Sequence, residues 1–401
     1  MKSVAIIPAR GGSRGIPRKN VALLDGRPLL VHTIDAALAA REVDCVVVST
    51  DDPEIAEIAH AAGAMVSMRP ASLSDGKATS ESALCHTLGW LKEEHGMVPE
   101  WTVFLQCTSP LTESTDIDGT IQAVLDQNAD SGLAVTRFHH FLWRNTDSGE
   151  AEGVNHDKRV RLRRQDSPSF FLETGAVYVM RTTDLQRGGH RFFGQVAMYE
   201  MPRERCWEID DPTDLVVARA LIDAKRKQEA RHNLPFSPEA LVLDFDGVFT
   251  DNSVLVFADG TEAVRCNRSD GAGLARLKRL GLPMLVLSAE VNAVVKARCA
   301  KLGIPCIHGV ADKAPRLQKW LERHRINKEK VIYIGNDLAD VPCMQWVGCG
   351  VAVADAFPEV KDAAQIVLRT AGGHGAIREL TDLILASSFQ RVPVKNREVS
   401  R

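Results

Sequence analysis

The sequence predicts an α/β protein of two domains, each built on a mainly parallel sheet. Three observations carry this expectation. The chain has 401 residues, more than one ordinary domain holds. Short β-branched runs alternate with helical patterns in both halves, the rhythm of parallel strands covered by helices on both faces. That rhythm stops at a polar stretch with two prolines and then restarts.

In the first half the strand-like runs are residues 4–7, 45–49, 102–106, 132–136, 176–180 and 196–199. Helical patterns lie at 29–40, 53–62 and 81–94, and a further helix at 214–228 closes this half. Arg231 to Pro238 contains Pro235 and Pro238 and reads as a linker. The second half opens on an apolar run at 240–243. It continues with strands at 284–287, 331–334 and 350–353 and a helix at 291–302. The expected boundaries are a first domain at 1–229, a linker at 230–238, a second domain at 239–392 and a polar tail at 393–401.

Bulk properties narrow the function. Hydrophobic residues make up 45% and charged residues 25%, an ordinary globular balance. The net charge of −3 argues against a nucleic-acid binder working by broad phosphate neutralisation. Nine cysteines without a C-x-x-C pair read as reduced thiols of a cytoplasmic protein. The N-terminal apolar run is broken by Pro8-Ala9-Arg10 too early for a signal peptide. No apolar stretch approaches the roughly 20 residues a membrane helix needs, so no membrane partner is expected.

The first strand runs into Pro8-Ala9-Arg10-Gly11-Gly12-Ser13-Arg14-Gly15-Ile16-Pro17-Arg18-Lys19-Asn20. A glycine-rich turn after a strand presents backbone N–H groups to an anion. Arg10, Arg14, Arg18 and Lys19 add positive charge, which suits a triphosphate. The string is neither a Walker A loop nor a dinucleotide fingerprint. Glu208 and Asp210 are spaced i, i+2, which on a strand puts both carboxylates on one face. Hard oxygen ligands suit Mg²⁺. The alternative is a pair of exposed acids ahead of a helix at Pro212, with Asp211 as its cap.

The glycine-rich string resembles the signature of acylneuraminate (CMP-sialic acid) cytidylyltransferases. Further blocks follow in order: Ser49-Thr50-Asp51, Arg69-Pro70, Leu105 to Leu111, Arg164-Gln165, Gly175-Ala176-Val177-Tyr178 and Trp207-Glu208-Ile209-Asp210. The resemblance covers about residues 1–225 and implies a Rossmann-like nucleotidyltransferase fold with a mixed, mostly parallel sheet. It implies transfer of CMP from CTP to a sialic acid, releasing pyrophosphate. Arg10, Gly11, Gly12, Ser13, Lys19 and Asn20 then hold the nucleotide, with Arg69 near it. Gln106, Arg164 and Tyr178 face the sugar. Departures fall on the sugar side: Cys107 stands for proline, Thr174 for asparagine, and only Arg144 follows His139-His140 as a basic residue.

In the second half an apolar strand ends in Asp244-Phe245-Asp246-Gly247-Val248-Phe249-Thr250-Asp251. Two carboxylates at the carboxyl end of a parallel strand point into the crevice where such sheets place their sites. This run, with Ser288, Lys313 and Gly335-Asn336-Asp337-Leu338-Ala339-Asp340, resembles the ordered motifs of haloacid dehalogenase (HAD) superfamily phosphatases. The resemblance implies a HAD-like Rossmannoid α/β domain. Asp244 is then the nucleophile and Asp246 the acid and base. Ser288 and Lys313 hold the phosphate. Asp244, the Asp246 carbonyl and Asp337 bind Mg²⁺, with Asp340 in support.

Ser288-Ala289-Glu290, with Lys301 beyond it, is similar to the KDN-9-phosphate phosphatase pattern, whereas Kdo-8-phosphate phosphatases carry arginine at the Glu290 position. Glu290 and Lys301 are then sugar-binding residues. The segment Gly372 to Glu379 resembles the tail that, in those enzymes, enters a neighbouring subunit's site, and the subgroup is tetrameric. The chain is thus expected to be a bifunctional, homotetrameric enzyme acting on a nonulosonate and its 9-phosphate. The alternatives are a second half that only drives tetramerisation, and cytidylylation of another acid such as Kdo.

Overall fold

The computed structural model describes residues 1–13, 15–74, 78–160, 163–166 and 168–389, with the backbone alone for Arg164, Ser388 and Phe389. Arg14 and the expected tail 393–401 lie outside the described residues. Contacts divide the chain into two compact units, Met1–Asp223 and Ala224–Arg401. The division falls within the helix Pro212–Asn233. This helix outlasts the expected 214–228 at both ends, so residues 230–233 of the expected linker are helical.

The first unit is built on a seven-stranded sheet. Its strands are β1 (Ser3–Pro8), β2 (Cys45–Thr50), β3 (Met65–Met68), β4 (Trp101–Leu105), β5 (Ser131–Phe138), β6 (Phe170–Arg181) and β7 (Val196–Glu200). They lie in the order β7-β5-β6-β4-β1-β2-β3. All neighbours are parallel except β6, which runs antiparallel to β4 and β5. The continuous apolar run of β1 reflects its central place, since a parallel strand covered on both faces has no polar side. Ala5 and Ile7 join the core on one face of the sheet, Val4 and Ile6 on the other.

β6 is much longer than the expected 176–180, and its register shifts between Glu173 and Tyr178. Gly175 lies in this irregularity with φ +70°, a conformation glycine adopts without a steric penalty. A Cβ there would stand 3.2 Å from the Glu208 carboxylate and 3.3 Å from Gln106 Oε1. The kink thus lets β6 pass close to two expected site residues. Apolar patterning did not single out β3, the ribbon Trp143–Asn145 with Ala151–Gly153, or the helix Ser114–Asp126.

The second unit holds a six-stranded sheet. Its strands are β8 (Ala240–Leu243), β9 (Met284–Leu287), β10 (Cys306–Ile307), β11 (Val331–Gly335), β12 (Cys349–Ala352) and β13 (Ile366–Val367). The order is β10-β9-β8-β11-β12-β13, and every pairing is parallel. β8 is fully buried at the centre of one apolar core. The helix expected at 291–302 begins at Ala293, because the Asn292 side chain accepts from the Val294 N–H and caps it.

Both units therefore agree with the expected α/β class and its mostly parallel sheets. All nine cysteines are free thiols. No helix among the described residues is long and apolar enough to cross a membrane.

One ion pair fixes the segment that leads to Glu208. Arg205 donates to Glu113 at 3.1 Å and to Asp116 at 2.7 Å, and Asp116 is fully buried. Removing one partner of a buried pair leaves the other charge uncompensated. Arg205→Ala should therefore lower unfolding stability by roughly 3 kcal/mol in urea denaturation followed by circular dichroism. A loss well under about 1 kcal/mol, the range of exposed pairs, would show that Asp116 does not depend on Arg205.

Candidate active sites in the two units

In the first unit the loop after β1 folds back on its own start. The buried Asn20 donates to the Arg10 carbonyl at 2.9 Å and accepts from the Cys107 thiol at 2.9 Å. Burial pushes that thiol up to about 12, so Cys107 stays protonated and able to donate. The cysteine in place of proline thus has a structural task. Gly11 donates its N–H to Asp51 at 3.1 Å. A Cβ on Gly11 would come within 2.5 Å of the Asp52 carboxylate, and one on Gly15 within 2.2 Å of the Asp210 carbonyl. These two glycines are required by space.

A cleft of about 200 Å³ opens over this loop, lined among others by Arg10, Ser13, Lys19, Asn20, Gln106 and Thr108. Gly12 faces open space. Gln106 Oε1 and Arg69 Nε are buried without a hydrogen-bond partner among the described residues. Such atoms call for a ligand or water. Arg69 is buried, which pulls its guanidinium down; Asp51 opposes this and Arg10 adds to it. The structure therefore gathers Arg10, Ser13, Lys19, Asn20 and Gln106 at one cleft, with Arg69 close to Arg10. The side chain of Arg164 lies outside the described residues.

Two expectations in this unit need correction. Residues 206–210 are not a strand. The segment is tied by the Ile209 N–H to the Thr108 carbonyl and by Lys19 Nζ to the Ile209 carbonyl, each at 2.8 Å, instead of by a sheet ladder. Glu208 points inward and accepts from Thr108 at 3.0 Å. Asp210 is exposed and pairs with Lys19 at 3.2 Å. The two carboxylates thus take different partners instead of sharing a strand face, and Asp211 caps the following helix through Thr213 N–H at 2.7 Å. They still feel each other: burial holds the Glu208 carboxyl up, and the charge of Asp210 adds to this. Both carboxylates remain oxygen donors of the kind a divalent cation takes.

The second correction concerns Tyr178. It is 3% exposed, and its hydroxyl donates to Glu173. Its ring is stacked on Phe104, so it packs behind a cleft-lining residue instead of standing free as a contact.

In the second unit the site assembles at the carboxyl ends of β8, β9 and β11. Lys313, 3% exposed, places its ammonium 2.7 Å from Asp244 and 2.7 Å from Asp340. Asp340 also accepts from Tyr333 OH at 2.7 Å and from the N–H groups of Asn336 and Asp337 at 3.0 and 3.2 Å. With its amide nitrogen turned towards these acceptors, Asn336 donates to the Asp246 carbonyl at 2.7 Å and to Asp244 at 3.2 Å. Gly247 has φ +74°, and a Cβ there would come within 1.9 Å of that amide. The left-handed turn thus lets the loop close over Asn336.

Burial pushes the Asp244 carboxyl up to about 8; Asp340 adds to this and Lys313 opposes it. Burial also raises Asp246, with Glu290 and Glu262 contributing. Ser288 is buried at the end of β9 and accepts from the Glu290 N–H at 3.0 Å. Glu290 accepts from the Val291 and Asn292 N–H groups. Asp337 is exposed and accepts from the Leu338 N–H at 2.6 Å.

Among the described residues no three His, Cys, Asp or Glu side chains converge as a metal cage. The donors expected for Mg²⁺, two carboxylates and one carbonyl, are of the kind that cation takes while keeping several waters. A cation there would also offset the crowding of charge that raises Asp244.

Lys301 lies on the helix that follows Glu290. It is exposed in the last turn of the helix Ala293–Leu302, about 12 Å along the axis from the first turn. The segment from Gly372 lies on its own chain's loop after β8: Gly373 N–H donates to the Val248 carbonyl at 3.1 Å. A Cβ on Gly372 would come within 1.9 Å of the Gly247 carbonyl. Sequence reading did not single out Asp51, Thr108, Asn336 or Tyr333. Asp51, Thr108 and Asn336 sit inside blocks that the sequence marks, though without a role of their own there; Tyr333 carries no local signal.

A family model described as cytidylyltransferase matches residues 4–233, and one described as haloacid dehalogenase-like hydrolase matches residues 304–380. The N-acylneuraminate cytidylyltransferase A of Danio rerio is 31% identical over 388 residues, which is 95% of this chain and 88% of that protein. The 3-deoxy-D-manno-octulosonate 8-phosphate phosphatase of Escherichia coli (strain K12) is 36% identical over 160 residues, 40% of this chain and 85% of that protein. Among solved structures, a HAD family hydrolase from Streptomyces avermitilis is 49% identical, covering 38% of this chain and 88% of its own, with a TM-score of 0.37.

The buried Lys313 predicts a stability effect separate from activity. Lys313→Met leaves Asp244 and Asp340 without their shared counter-charge and should cost roughly 3 kcal/mol in denaturant titration without added metal. An unchanged midpoint would show that the folded state does not depend on that shared counter-charge.

Proposed function

The chain belongs to the cytidylyltransferase family, with a haloacid dehalogenase-like hydrolase domain in its C-terminal half, and from that premise we propose that it carries out two consecutive steps on one nine-carbon sugar acid. The second unit hydrolyses a nonulosonate 9-phosphate to the free acid and phosphate. The first unit joins the freed acid to CMP, taken from CTP with release of pyrophosphate. The work is proposed to occur in the cytoplasm, in a homotetramer held through the second unit.

In the first unit Arg10, Lys19 and the N–H group of Gly12 hold the triphosphate, with Ser13 and Asn20, while Gly11 shapes the loop through its N–H bond to Asp51. Arg69 lies on the nucleotide side. Gln106, whose buried Oε1 lacks a partner among the described residues, accepts a hydrogen bond from a sugar hydroxyl. Arg164 is the proposed partner of the sugar's carboxylate. The sugar's anomeric hydroxyl attacks the α-phosphorus in line, and pyrophosphate leaves.

In the second unit Asp244 attacks phosphorus to give an aspartyl phosphate, and Asp246 protonates the departing alcohol oxygen. Asp246 then takes a proton from water, which attacks the aspartyl phosphate and frees Asp244. Lys313 and Ser288 hold the phosphate oxygens, and Glu290 accepts from sugar hydroxyls. Mg²⁺, held by Asp244, the Asp246 carbonyl and Asp337 and, in the first unit, by Glu208 and Asp210, neutralises phosphate charge when bound.

One observation carries the phosphatase half. Asp244 lies buried 2.7 Å from Lys313, and Asp246 follows two residues on, its carboxyl raised by burial, the direction an acid needs. The likeness to the Escherichia coli phosphatase favours a second reading, in which the substrate is an octulosonate 8-phosphate. Glu290 in place of arginine speaks for the nonulosonate.

Two variants separate the halves. Asp244→Asn should end phosphate release from N-acetylneuraminate 9-phosphate, by about 1,000-fold or more, while pyrophosphate release from CTP and N-acetylneuraminate continues. Lys19→Ala should do the reverse. Phosphate release that survives Asp244→Asn would overturn the nucleophile assignment. Release from 3-deoxy-D-manno-octulosonate 8-phosphate alone would replace the substrate.

A further inference from the structure

Phe104, which lines the first unit's cleft, packs against a cation that the proposed mechanism does not use. Arg191 donates from Nε to Glu81 at 2.7 Å, and the pair is mostly buried. Its guanidinium carbon lies 4.6 Å from the ring centre of Tyr178 and 5.0 Å from that of Phe104. Those rings stack on each other at 5.3 Å with an interplanar angle of 17°, and Phe192 meets Tyr178 edge-on at 6.0 Å. One planar cation thus joins two rings of the sheet to the first turn of the helix Ser80–His95.

The position matters because of what the clamped groups line. Phe104 and Ser80, the neighbour of Glu81, both line the cleft beside Gln106. Along the sheet, Arg10 follows β1, while Asp51 and Arg69 follow β2 and β3 on one side. Phe104 on β4 and Tyr178 on β6 lie on the other side. The triphosphate groups thus mark one flank, and Arg191 serves the flank left for the acceptor.

We infer that Arg191 is a positioning residue for the acceptor acid: through Glu81 and the Phe104–Tyr178 stack it fixes the wall and floor against which Gln106 meets the sugar. The inference rests on reading this cleft as the cytidylyltransferase site. Lysine keeps the charge but lacks both the flat face that covers two rings and the fork that reaches Glu81.

The test is steady-state pyrophosphate release by the full chain, with CTP and N-acetylneuraminate varied in turn. Arg191→Lys should raise KM for the acid roughly tenfold, with KM for CTP and kcat each within about threefold. Glu81→Gln, which leaves the ring cover in place, should raise the acid's KM by a smaller factor. Thermal melts of both variants accompany the kinetics. A lower melting temperature with an unchanged KM for the acid, or an equal rise in both KM values, would overturn the inference. If the wild type releases no pyrophosphate from any acid offered, the reading of the cleft itself fails, and this inference with it.

Discussion

In each unit, charge is buried where a parallel strand ends, and it is tolerated there because an opposite charge lies within hydrogen-bond reach. Lys313 is the strongest instance. Its ammonium is shared by Asp244 and Asp340, and Asp340 is further held by Tyr333 and two backbone N–H groups. Without the lysine, two carboxylates could not both ionise in that space. In the first unit Lys19 spans from the loop after β1 to the segment carrying Glu208 and Asp210. The cations that keep these sites folded are those proposed to receive phosphate, so a phosphorylated ligand would replace a carboxylate already in contact.

Glycine complements this arrangement. Gly11 and Gly15 let the loop after β1 lie against Asp52 and Asp210, and Gly247 lets the loop after β8 lie against Asn336. In each case a methyl group would collide with a polar group of the site. The glycines that read as anion-binding turns in the sequence also act as spacers that bring acidic segments close.

Much of this is legible in the sequence. The apolar runs of β1 and β8 read as central strands because a strand covered on both faces has no polar side to show. The residues that follow them read as sites because charge placed directly after such a run has to face the sheet's edge. Legibility failed where meaning depended on tertiary cover. The i, i+2 spacing of Glu208 and Asp210 implies one face only on a strand, and no strand forms there. Tyr178 sits in a recognisable block, but the spacing does not reveal that Arg191 and Glu173 enclose it. Lys301 matches a pattern, yet its helix carries it about 12 Å from the helix start. Asn336 and Asp51 act through hydrogen bonds that no local pattern records.

The central claim is that one chain removes a phosphate from a sugar acid and then activates that acid. Phosphorus NMR of the wild-type protein with Mg²⁺, CTP and N-acetylneuraminate 9-phosphate follows every phosphorus atom in one tube. The account predicts that the phosphomonoester signal converts to inorganic phosphate first. Pyrophosphate and the CMP phosphodiester should then rise together, in equal amounts and never beyond the phosphate released. Pyrophosphate and phosphodiester accumulating while the phosphomonoester stays intact would contradict it.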